Sequence, residues 1–196
     1  MPPAPSNAMI QPTPEQLQRA AQTLQAGGIV AYPTEAVYGL GCDPWNETAM
    51  RRLLTLKQRP AEMGVILIAS RIEQLEPFIT PLDEATLTKL QATWPGPVTW
   101  IVPARAETPA WLRGAHTTIA VRVTAHPIAA ALCEAAQSAL VSTSANRTGE
   151  PPARDADAVR HVFGDTVDYI LSGEVGGLDR PTEIRDVRTG EVIRPA

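Results

Sequence analysis

The feature that most constrains the fold is the alternation of short apolar runs with amphipathic helical segments. "GVILIA" (64–69) is a continuous apolar run bounded by turn-forming residues, which is typical of a central strand. "IVAY" (29–32) has the same character. The segment before it, "TPEQLQRAAQTLQAGG" (13–28), begins with a capping-box pattern and ends in two glycines, which predicts a helix. The alternation therefore indicates an α/β fold.

Along the whole chain the same signals predict further helices and strands. Four more helical segments are expected, at 47–57, 82–94, 127–136 and 155–163. The remaining strands are expected in "WPGPVTWIVP", "TIAVRV", "ALVSTSAN", "DYIL", "TEIRDV" and "EVIRPA", whereas "PTEAVYGLGCDPWN" is interpreted as turn-rich. The spacing predicts a single α/β domain over residues 14–196 with a mixed sheet of parallel and antiparallel strands. Residues 1–13, rich in proline and small polar residues, are expected to be a disordered leader.

Composition limits the classes of function. The 196 residues are 44% hydrophobic and 19% charged, with a net charge of −4, which is ordinary for a soluble globular protein and argues against a broadly basic surface. Cys42 and Cys133 have no metal-binding spacing and are expected to be buried, reduced thiols. The first residues lack the basic and apolar regions of a signal peptide, so none is expected, and no apolar stretch reaches bilayer length. We expect a cytoplasmic protein without membrane contact.

Five short stretches combine polar side chains with strand ends and Gly/Pro loops. They are "YPTEAVYGLG", "LKQRP", "AVRV", "STSAN" and "VIRPA". Ligands of open α/β sheets bind beyond the ends of the strands, so these stretches are candidate walls of a site.

Each of these stretches leaves alternatives open when taken alone. Lys57 and Arg59 in "LKQRP" either complement the dipole at a helix C-terminus or bind an anion. Ser142, Ser144 and Asn146 in "STSAN" either satisfy their own loop or surround a phosphate. The residue types fit phosphate binding without deciding between the two.

Arg122 is more informative because it interrupts an apolar strand. A buried guanidinium requires either an acidic side chain or an anionic ligand. Arg194, near the C-terminus, raises the same question, with a solvated charge as the simpler interpretation. His116, His126 and His161 are too scattered for a metal site or a triad, and the sequence contains neither a P-loop nor a GxGxxG motif.

Six segments in order resemble the YrdC-like threonylcarbamoyl-AMP synthases, in their short bacterial form (TsaC). They are "AYPTEAVYGLGCDP", "LKQRP" followed by "GVILIA", "WPGPVTW", "AVRVTAHP", "LVSTSANRTGEPP" and "TEIRDVRTGEVIRPA". The resemblance implies a twisted, open mixed sheet flanked by helices, with a concave, positively charged face. It also implies that L-threonine, bicarbonate or CO2, and ATP give L-threonylcarbamoyl-AMP and diphosphate. A tRNA-modifying transferase complex then uses the product to make N6-threonylcarbamoyladenosine in tRNAs reading codons that begin with A.

The resemblance also implies roles for individual residues. Lys57 and Arg59 are expected to be catalytic by facing the ATP phosphates. Further ATP-binding residues are expected to be Thr118, Ser144, Asn146 and Arg194. The threonine-binding residues are expected to be Thr34, Arg122, Ser142 and Thr182. No protein metal ligand is expected, because Mg²⁺ would be held mainly by ATP phosphates.

The chain departs from the family pattern at three points, and two alternative functions are also considered. Longer family members add a C-terminal domain, whose contacts we do not expect here. They also carry Asn and His where this chain has Met63 and Ile68. The first alternative is a module that binds double-stranded RNA or tRNA without catalysis, although weak tRNA contact is also compatible with the enzyme. The second is a carbamoyl-adenylate activity like that of hydrogenase-maturation carbamoyltransferases.

Overall fold

The computed structural model describes residues 11–196 and contains the predicted alternation of helices and strands. The helices are α1 (Pro14–Gln25), α2 (Glu47–Lys57), α3 (Glu84–Gln91), α4 (Ala110–Arg113), α5 (Pro127–Ala136) and α6 (Ala156–Phe163). The strands are β1 (Val30–Pro33), β2 (Tyr38–Gly41), β3 (Ile66–Ala69), β4 (Val98–Pro103), β5 (Thr118–Val123), β6 (Leu140–Ser144), β7 (Tyr169–Ile170), β8 (Glu183–Asp186) and β9 (Val192–Arg194). The predicted leader lies almost entirely outside the described residues.

Helix starts follow the capping signals in the sequence. Thr13 Oγ1 accepts a hydrogen bond from the Gln16 amide at 3.2 Å, and Gln16 Oε1 accepts one from the Thr13 amide at 2.8 Å, which completes the predicted capping box of α1. Asn46 caps α2 by accepting from the Ala49 amide at 2.9 Å. Helix α2 ends at Lys57, and the left-handed backbone of the next residue, Gln58 (φ 52°), turns the chain away.

The strands form one mixed sheet in the order β7-β1-β2-β6-β3-β5-β4-β8-β9. Three neighbouring pairs are parallel, β7 with β1, β3 with β5 and β4 with β8, and the other pairs are antiparallel. The predicted single α/β domain with a mixed sheet flanked by helices is confirmed. Among the described residues, no helix is long and apolar enough to cross a membrane.

Strand β2 was not predicted, because its sequence "YGLG" looks like a turn. Both glycines are there for close packing within the sheet. A Cβ on Gly41 would lie 2.4 Å from the Val141 carbonyl oxygen and 2.8 Å from the Tyr32 ring. A Cβ on Gly39 would press on Ser142 Oγ at 3.3 Å. A larger residue at Gly41 would therefore collide with β1 and β6, whereas one at Gly39 would require its neighbours to shift slightly.

The helices bury the two faces of the sheet unequally. One face is covered by α2, α3, α4 and α6, which share a large apolar cluster with Ala31, Leu67 and Val121. On the other face α1 and α5 cover only part of the sheet, where they pack with Tyr32 and Ile68. The two predicted buried thiols are confirmed, and burial raises the pKa of Cys42 to about 12.

The uncovered part of the α1/α5 face is the foundation of the site. Residues paired in register project to the same side of a sheet. Ser142 pairs with Ile66, Ile66 with Ala120, and Ala120 with Ile101, so these four form a row across β6, β3, β5 and β4. Arg122 lies two residues after Ala120 on β5 and therefore on the same face of the sheet. The strand register therefore places polar and apolar side chains together where no helix covers them.

Candidate active site

A cavity of about 460 Å³ lies over this uncovered part of the sheet. Its volume is in the usual range for small-molecule sites. Every predicted site residue except Lys57 lines it. Those lining residues are Thr34, Arg59, Thr118, Arg122, Ser142, Ser144, Asn146, Thr182 and Arg194. The fold thus brings together residues from β5, β6, β9 and the connecting loops, including the turn after β1.

The charged side chains in the cavity wall have one sign. Four arginines line it, Arg59, Arg113, Arg122 and Arg194, together with His116. Within the described part of the chain, no aspartate or glutamate contributes to this wall. A concave surface with unbalanced positive charge attracts anions. The wall is therefore suited to an anionic ligand even though the whole chain is acidic.

Three of these arginines have buried nitrogen atoms without a partner. The Nε atoms of Arg59, Arg122 and Arg194 are inaccessible to solvent and form no hydrogen bond, and no other buried side-chain nitrogen or oxygen of the described residues is left so. Burial lowers the pKa of Arg59 and, with the charges of Arg122 and Arg59 adding to it, that of Arg194. Buried donors without acceptors are costly, so their grouping indicates a site for a ligand rich in acceptors.

Arg122 resolves the question that its sequence raised, because it has an acidic partner and also spare donors. Its side chain is buried, and Nη1 donates to Thr99 Oγ1 at 2.9 Å and to Thr182 Oγ1 at 3.0 Å. Nη2 contacts Glu35 Oε2 at 3.3 Å in a buried salt bridge. A guanidinium carries five N–H donors, so three are engaged and two remain.

Arg59 and Arg194 are each anchored by one backbone carbonyl. Arg59 Nη2 donates to the Gly64 carbonyl at 3.0 Å, and Arg194 Nη2 donates to the Thr182 carbonyl at 2.6 Å. These bonds hold the two guanidinium groups against the cavity wall. Arg194 is half-buried there, so the simpler interpretation of a freely solvated charge does not describe it.

Lys57 lies behind the wall. Its side chain is buried, and Nζ donates to the Ser144 carbonyl, to the Asn146 carbonyl at 2.7 Å and to Asn146 Oδ1 at 3.3 Å. The Lys57 carbonyl in turn accepts from the Thr148 amide at 3.0 Å. Burial and then the Arg59 charge lower the pKa of Lys57 to about 8. The observed contacts join the end of α2 to the 144–148 loop, and direct phosphate contact stays a prediction.

The hydroxyl and amide groups of "STSAN" satisfy part of their own loop, as one interpretation of the sequence proposed. Ser144 Oγ donates to Asn146 Oδ1 at 2.6 Å, and Asn146 Nδ2 donates to the Glu150 carbonyl at 2.6 Å. Ser142 and Ser144 nevertheless line the cavity. Thr34 Oγ1 donates to the Val37 carbonyl at 2.7 Å, which closes the turn between β1 and β2. The loops are thus preorganised along the cavity.

The 173–182 segment carries Thr182 to Arg122 by running along the β1–β2 turn. Its Gly176 amide donates to the Thr34 carbonyl at 2.9 Å, and its Leu178 amide donates to the Glu35 carbonyl at 3.1 Å. A Cβ on Gly176 would lie 2.9 Å from the Glu35 carbonyl oxygen, so only glycine allows this approach. The segment therefore completes one side of the cavity.

Comparison with known proteins supports the same interpretation of the chain. A family model named for Sua5, YciO and YrdC, and described as "Telomere recombination", matches residues 22–196. The chain belongs to this family. A Coxiella burnetii protein named threonylcarbamoyl-AMP synthase is 52% identical over 180 residues, which are 92% of this chain and 97% of that protein. A Nitrosococcus oceani protein of the same name is 54% identical over 175 residues, 89% of this chain and 95% of that one.

A solved structure of this Sua5/YciO/YrdC family matches the fold. The crystal structure of P. abyssi Sua5 complexed with L-threonine superposes with a TM-score of 0.85 at 31% identity. The match covers 91% of this chain and 53% of that one, so this chain spans about half the length of P. abyssi Sua5. The expected YrdC-like fold is confirmed.

Sequence reasoning missed several residues of the site of this family member. They are Glu35, Thr99, Arg113, His116 and Thr124. A buried arginine signals that an acid is nearby, but the sequence alone does not say which acid. The structure also shows where the two residues lie that replace the Asn and His of longer family members. Met63 lines the cavity and is 54% exposed, whereas Ile68 is fully buried with α5 and is not among the lining residues.

Proposed function

We propose that this family member is a threonylcarbamoyl-AMP synthase. The reaction converts L-threonine, bicarbonate and ATP to L-threonylcarbamoyl-AMP, diphosphate and water, with no water released if CO2 is the substrate. The observation that carries the proposal is the convergence of Arg59, Arg122 and Arg194, with several hydroxyl-bearing side chains, on one cavity whose described wall has no carboxylate. Relatives at 52% and 54% identity bear this name, which supports the same assignment.

The ATP side of the cavity consists of Arg59, Arg194, Thr118 and the 144–146 loop. Unpaired arginine donors at Arg59 and Arg194 neutralise phosphate oxygens, and hydroxyl and amide groups of Ser144 and Asn146 contact the α-phosphate. Lys57 adds positive charge from behind the loop. Its direct contact with a phosphate requires Nζ to leave a carbonyl partner in the 144–148 loop and to enter the cavity.

The threonine side consists of Arg122, Thr34, Ser142 and Thr182. The two free N–H groups of Arg122 receive the threonine carboxylate, since guanidinium and carboxylate groups match in geometry. The three hydroxyl-bearing residues donate to or accept from the polar groups of the amino acid. P. abyssi Sua5, whose structure is described as a complex with L-threonine, supports an amino-acid substrate for this fold.

Positioning and charge neutralisation supply the catalysis. The threonine amine attacks the carbon of CO2, one C–O π bond opens, and the nitrogen gives up a proton to leave a carbamate. With bicarbonate the C–OH bond breaks instead, and the hydroxyl leaves with that proton as water. A carbamate oxygen then bonds to the α-phosphorus of ATP, the bond from that phosphorus to the bridging oxygen breaks, and diphosphate leaves. Several anionic groups must approach one another for this step, which a wall of arginines and hydroxyls makes possible without a protein nucleophile.

Mg²⁺ enters this proposal with the nucleotide. The described residues contain no group of three or more His, Cys, Asp or Glu side chains that could hold a metal ion, and the described cavity wall has no carboxylate. Phosphate oxygens are ligands that Mg²⁺ prefers, so the proposal assigns Mg²⁺ to the phosphate oxygens of ATP.

The product is a mixed anhydride that must be consumed by a group-transfer enzyme. We place this protein in the cytoplasm, before a tRNA-modifying transferase complex that moves the threonylcarbamoyl group to adenosine. Contact with tRNA is weak or transient in this scheme. A concave site of this size with buried arginines fits a small anion better than an RNA duplex, whose phosphates lie on a convex surface.

The decisive experiment is diphosphate release by the purified protein. With Mg-ATP, L-threonine and bicarbonate we expect diphosphate and a product of the mass of threonylcarbamoyl-AMP. Omission of any one substrate should abolish both signals. Diphosphate release that does not depend on threonine would contradict the proposal, as would no release with all substrates present.

Two further reactions test the other functions. Replacing threonine with carbamoyl phosphate tests the carbamoyl-adenylate reaction, and we expect no diphosphate. Titration with tRNA at several salt concentrations tests the RNA-binding module, because phosphate contacts give an affinity that falls steeply with salt. Tight tRNA binding that weakens on Arg59→Ala, without diphosphate release by the wild type, would favour that module over the enzyme.

A further inference from the structure

Glu35 occupies an unusual place for a carboxylate. It is buried directly beside a cavity that attracts anions, yet it does not line that cavity. A negative charge directly beside the cavity weakens the attraction of the site for a carboxylate or a phosphate. A buried charge also requires compensation by partners. Its presence therefore needs a reason beyond general stability.

The contacts of Glu35 define how Arg122 is held. Oε2 of Glu35 pairs with Nη2 of Arg122 at 3.3 Å, while Oε1 accepts a hydrogen bond from Thr124 Oγ1 at 2.6 Å. Thr124 Oγ1 accepts from the His126 amide at 3.1 Å, at the start of α5. Glu35 itself is fixed through its carbonyl by the Leu178 amide. Each carboxylate oxygen thus has one specific partner.

These contacts leave one part of the guanidinium free. Nη1 of Arg122 is fully engaged by Thr99 and Thr182, Nη2 is engaged by Glu35, and Nε has no partner. Without Glu35, the hydrogen bonds of the guanidinium to the described residues would be limited to those with two neutral hydroxyl groups, both at Nη1. With Glu35 the group has anchors on two sides, so its free N–H donors are directed in advance.

We infer that Glu35 is a positioning residue for amino-acid recognition, acting by aiming the free N–H groups of Arg122 at the substrate carboxylate. The inference rests on the proposed function for its ligand, an α-amino acid carboxylate. Thr124, in the loop between β5 and α5, supports Glu35 in this role by donating to its Oε1. The negative charge of Glu35 weakens the general attraction for anions, and in exchange the site gains orientation.

The test measures threonine and nucleotide binding separately. Calorimetric titration with L-threonine, in the presence of a non-hydrolysable Mg-ATP analogue, is performed on the wild type, Glu35→Gln and Glu35→Ala. Glutamine keeps an oxygen that can accept a hydrogen bond from Arg122, so it preserves part of the orientation of the guanidinium group. We expect threonine affinity to fall about tenfold in E35Q and about a hundredfold in E35A. The affinity for the ATP analogue should change less than twofold in both.

Two controls separate positioning from stability. Asp168→Asn removes a carboxylate that pairs with Arg52 at 2.6 Å and does not line the cavity. We expect it to lower the melting temperature while leaving threonine affinity unchanged. L-Threonine amide, which lacks the carboxylate, is the second control. The wild type should prefer threonine to the amide strongly, and E35A should lose most of that preference.

The possible outcomes are distinct. Threonine affinity in E35Q equal to or above that of the wild type would overturn the inference, since Glu35 would then compete with the substrate for Arg122. A loss of melting temperature with equal losses for both ligands would also overturn it. If the wild type binds threonine but releases no diphosphate, the proposed reaction is wrong. The threonine affinities of the wild type and the Glu35 variants then still test the positioning role of Glu35. If the wild type binds no threonine, both fail.

Discussion

Two regions on the same face of one sheet have opposite chemistry. Where α1 and α5 cover the face, Ile68 and Leu132 belong to a dry apolar cluster. Where no helix covers it, arginines and hydroxyls line a cavity. Arg122 pairs in register with Ile68, so the boundary between the two regions runs through one pair of neighbouring strands. The same sheet underlies both regions, which differ in their side chains and in whether helices cover them.

This contrast shows how the fold separates stability from function. The covered region buries apolar side chains, which favours folding. The open region buries arginine nitrogens without partners, which opposes folding and is offset elsewhere in the structure. Substitutions on the two sides should therefore change different measurements, and the following four test this separation.

The largest effect is expected for Arg122→Ala, in the open region. Removing the guanidinium eliminates the proposed carboxylate contact and leaves Glu35 buried without its ion pair. We expect diphosphate release with threonine to fall ~10²–10³-fold, and the free energy of unfolding to fall by about 3 kcal/mol. The double variant Glu35→Gln, Arg122→Met should regain most of the stability and none of the activity. Recovery of activity in the double variant would make the pair purely structural.

Leu132→Ala tests the covered region. This fully buried side chain of α5 lies in the apolar cluster, so its truncation leaves a cavity. Chemical denaturation should show a loss of about 3 kcal/mol in the free energy of unfolding. The KM values for ATP and threonine, measured well below the melting temperature, should match those of the wild type. A changed KM for threonine would mean that the two regions are coupled through α5.

Arg194→Met returns to the open region with a smaller change. Arg194 is half-buried near Arg59 and Arg122, and their charges contribute to its lowered pKa. Methionine keeps much of the side-chain volume and removes the charge. The KM for ATP should rise about tenfold, as for loss of one charge-assisted contact. The melting temperature should stay the same or rise, since repulsion among the arginines is relieved. A fall in both stability and ATP binding would argue that Arg194 is mainly structural.

The smallest effect is expected for the pH dependence of the free energy of unfolding that is due to His126, the residue before α5. Its Nδ1 accepts from the Ala129 amide at 3.4 Å, so Nε2 carries the proton and donates to the Glu174 carbonyl at 3.0 Å. Desolvation lowers the pKa of His126 in the folded state, so the unfolded chain binds the proton more readily. Its contribution is therefore present above about pH 6.5 and is lost as pH falls through the lower folded pKa.

The measurement is the free energy of unfolding at pH 7.5 and pH 5. Asparagine caps helices without titrating in this range, so His126→Asn is the matched control. The wild type should lose up to about 1 kcal/mol more than His126→Asn between the two pH values, the usual size of a capping contribution. Equal losses in both proteins would exclude His126 as the titrating group.

Local signals in the sequence were enough for most of the fold. The caps at Thr13 and Asn46 and the apolar run 64–69 determine helices and strands by short-range physics, and the structure confirms them. Strand β2 was missed because its glycines serve the packing of Tyr32 and Val141, which are neighbours only in space. The sequence "YGLG" fits either a turn or a close-packed strand, and only the residues that pack against it decide between the two.

The site was predictable as a set of residues and less so as a set of contacts. The six ordered motifs named the cavity wall, but the partner of Arg122 is 87 residues away, and no local pattern links the two. Lys57 was expected in the wall beside Arg59, yet its ammonium group turns back into the 144–148 loop. Which way a long side chain turns depends on the carbonyl groups that the folded chain offers it.

The position of β9 beyond β8 has a consequence for biosynthesis. The apolar cluster under α1 and α5 is complete once residue 171 has been made, whereas Thr182 and Arg194 are supplied by the last strands in chain order. All residues of this smaller cluster are thus made before the binding site is complete. Premature termination between these points would leave a chain that has every residue of the cluster but lacks one wall of its pocket.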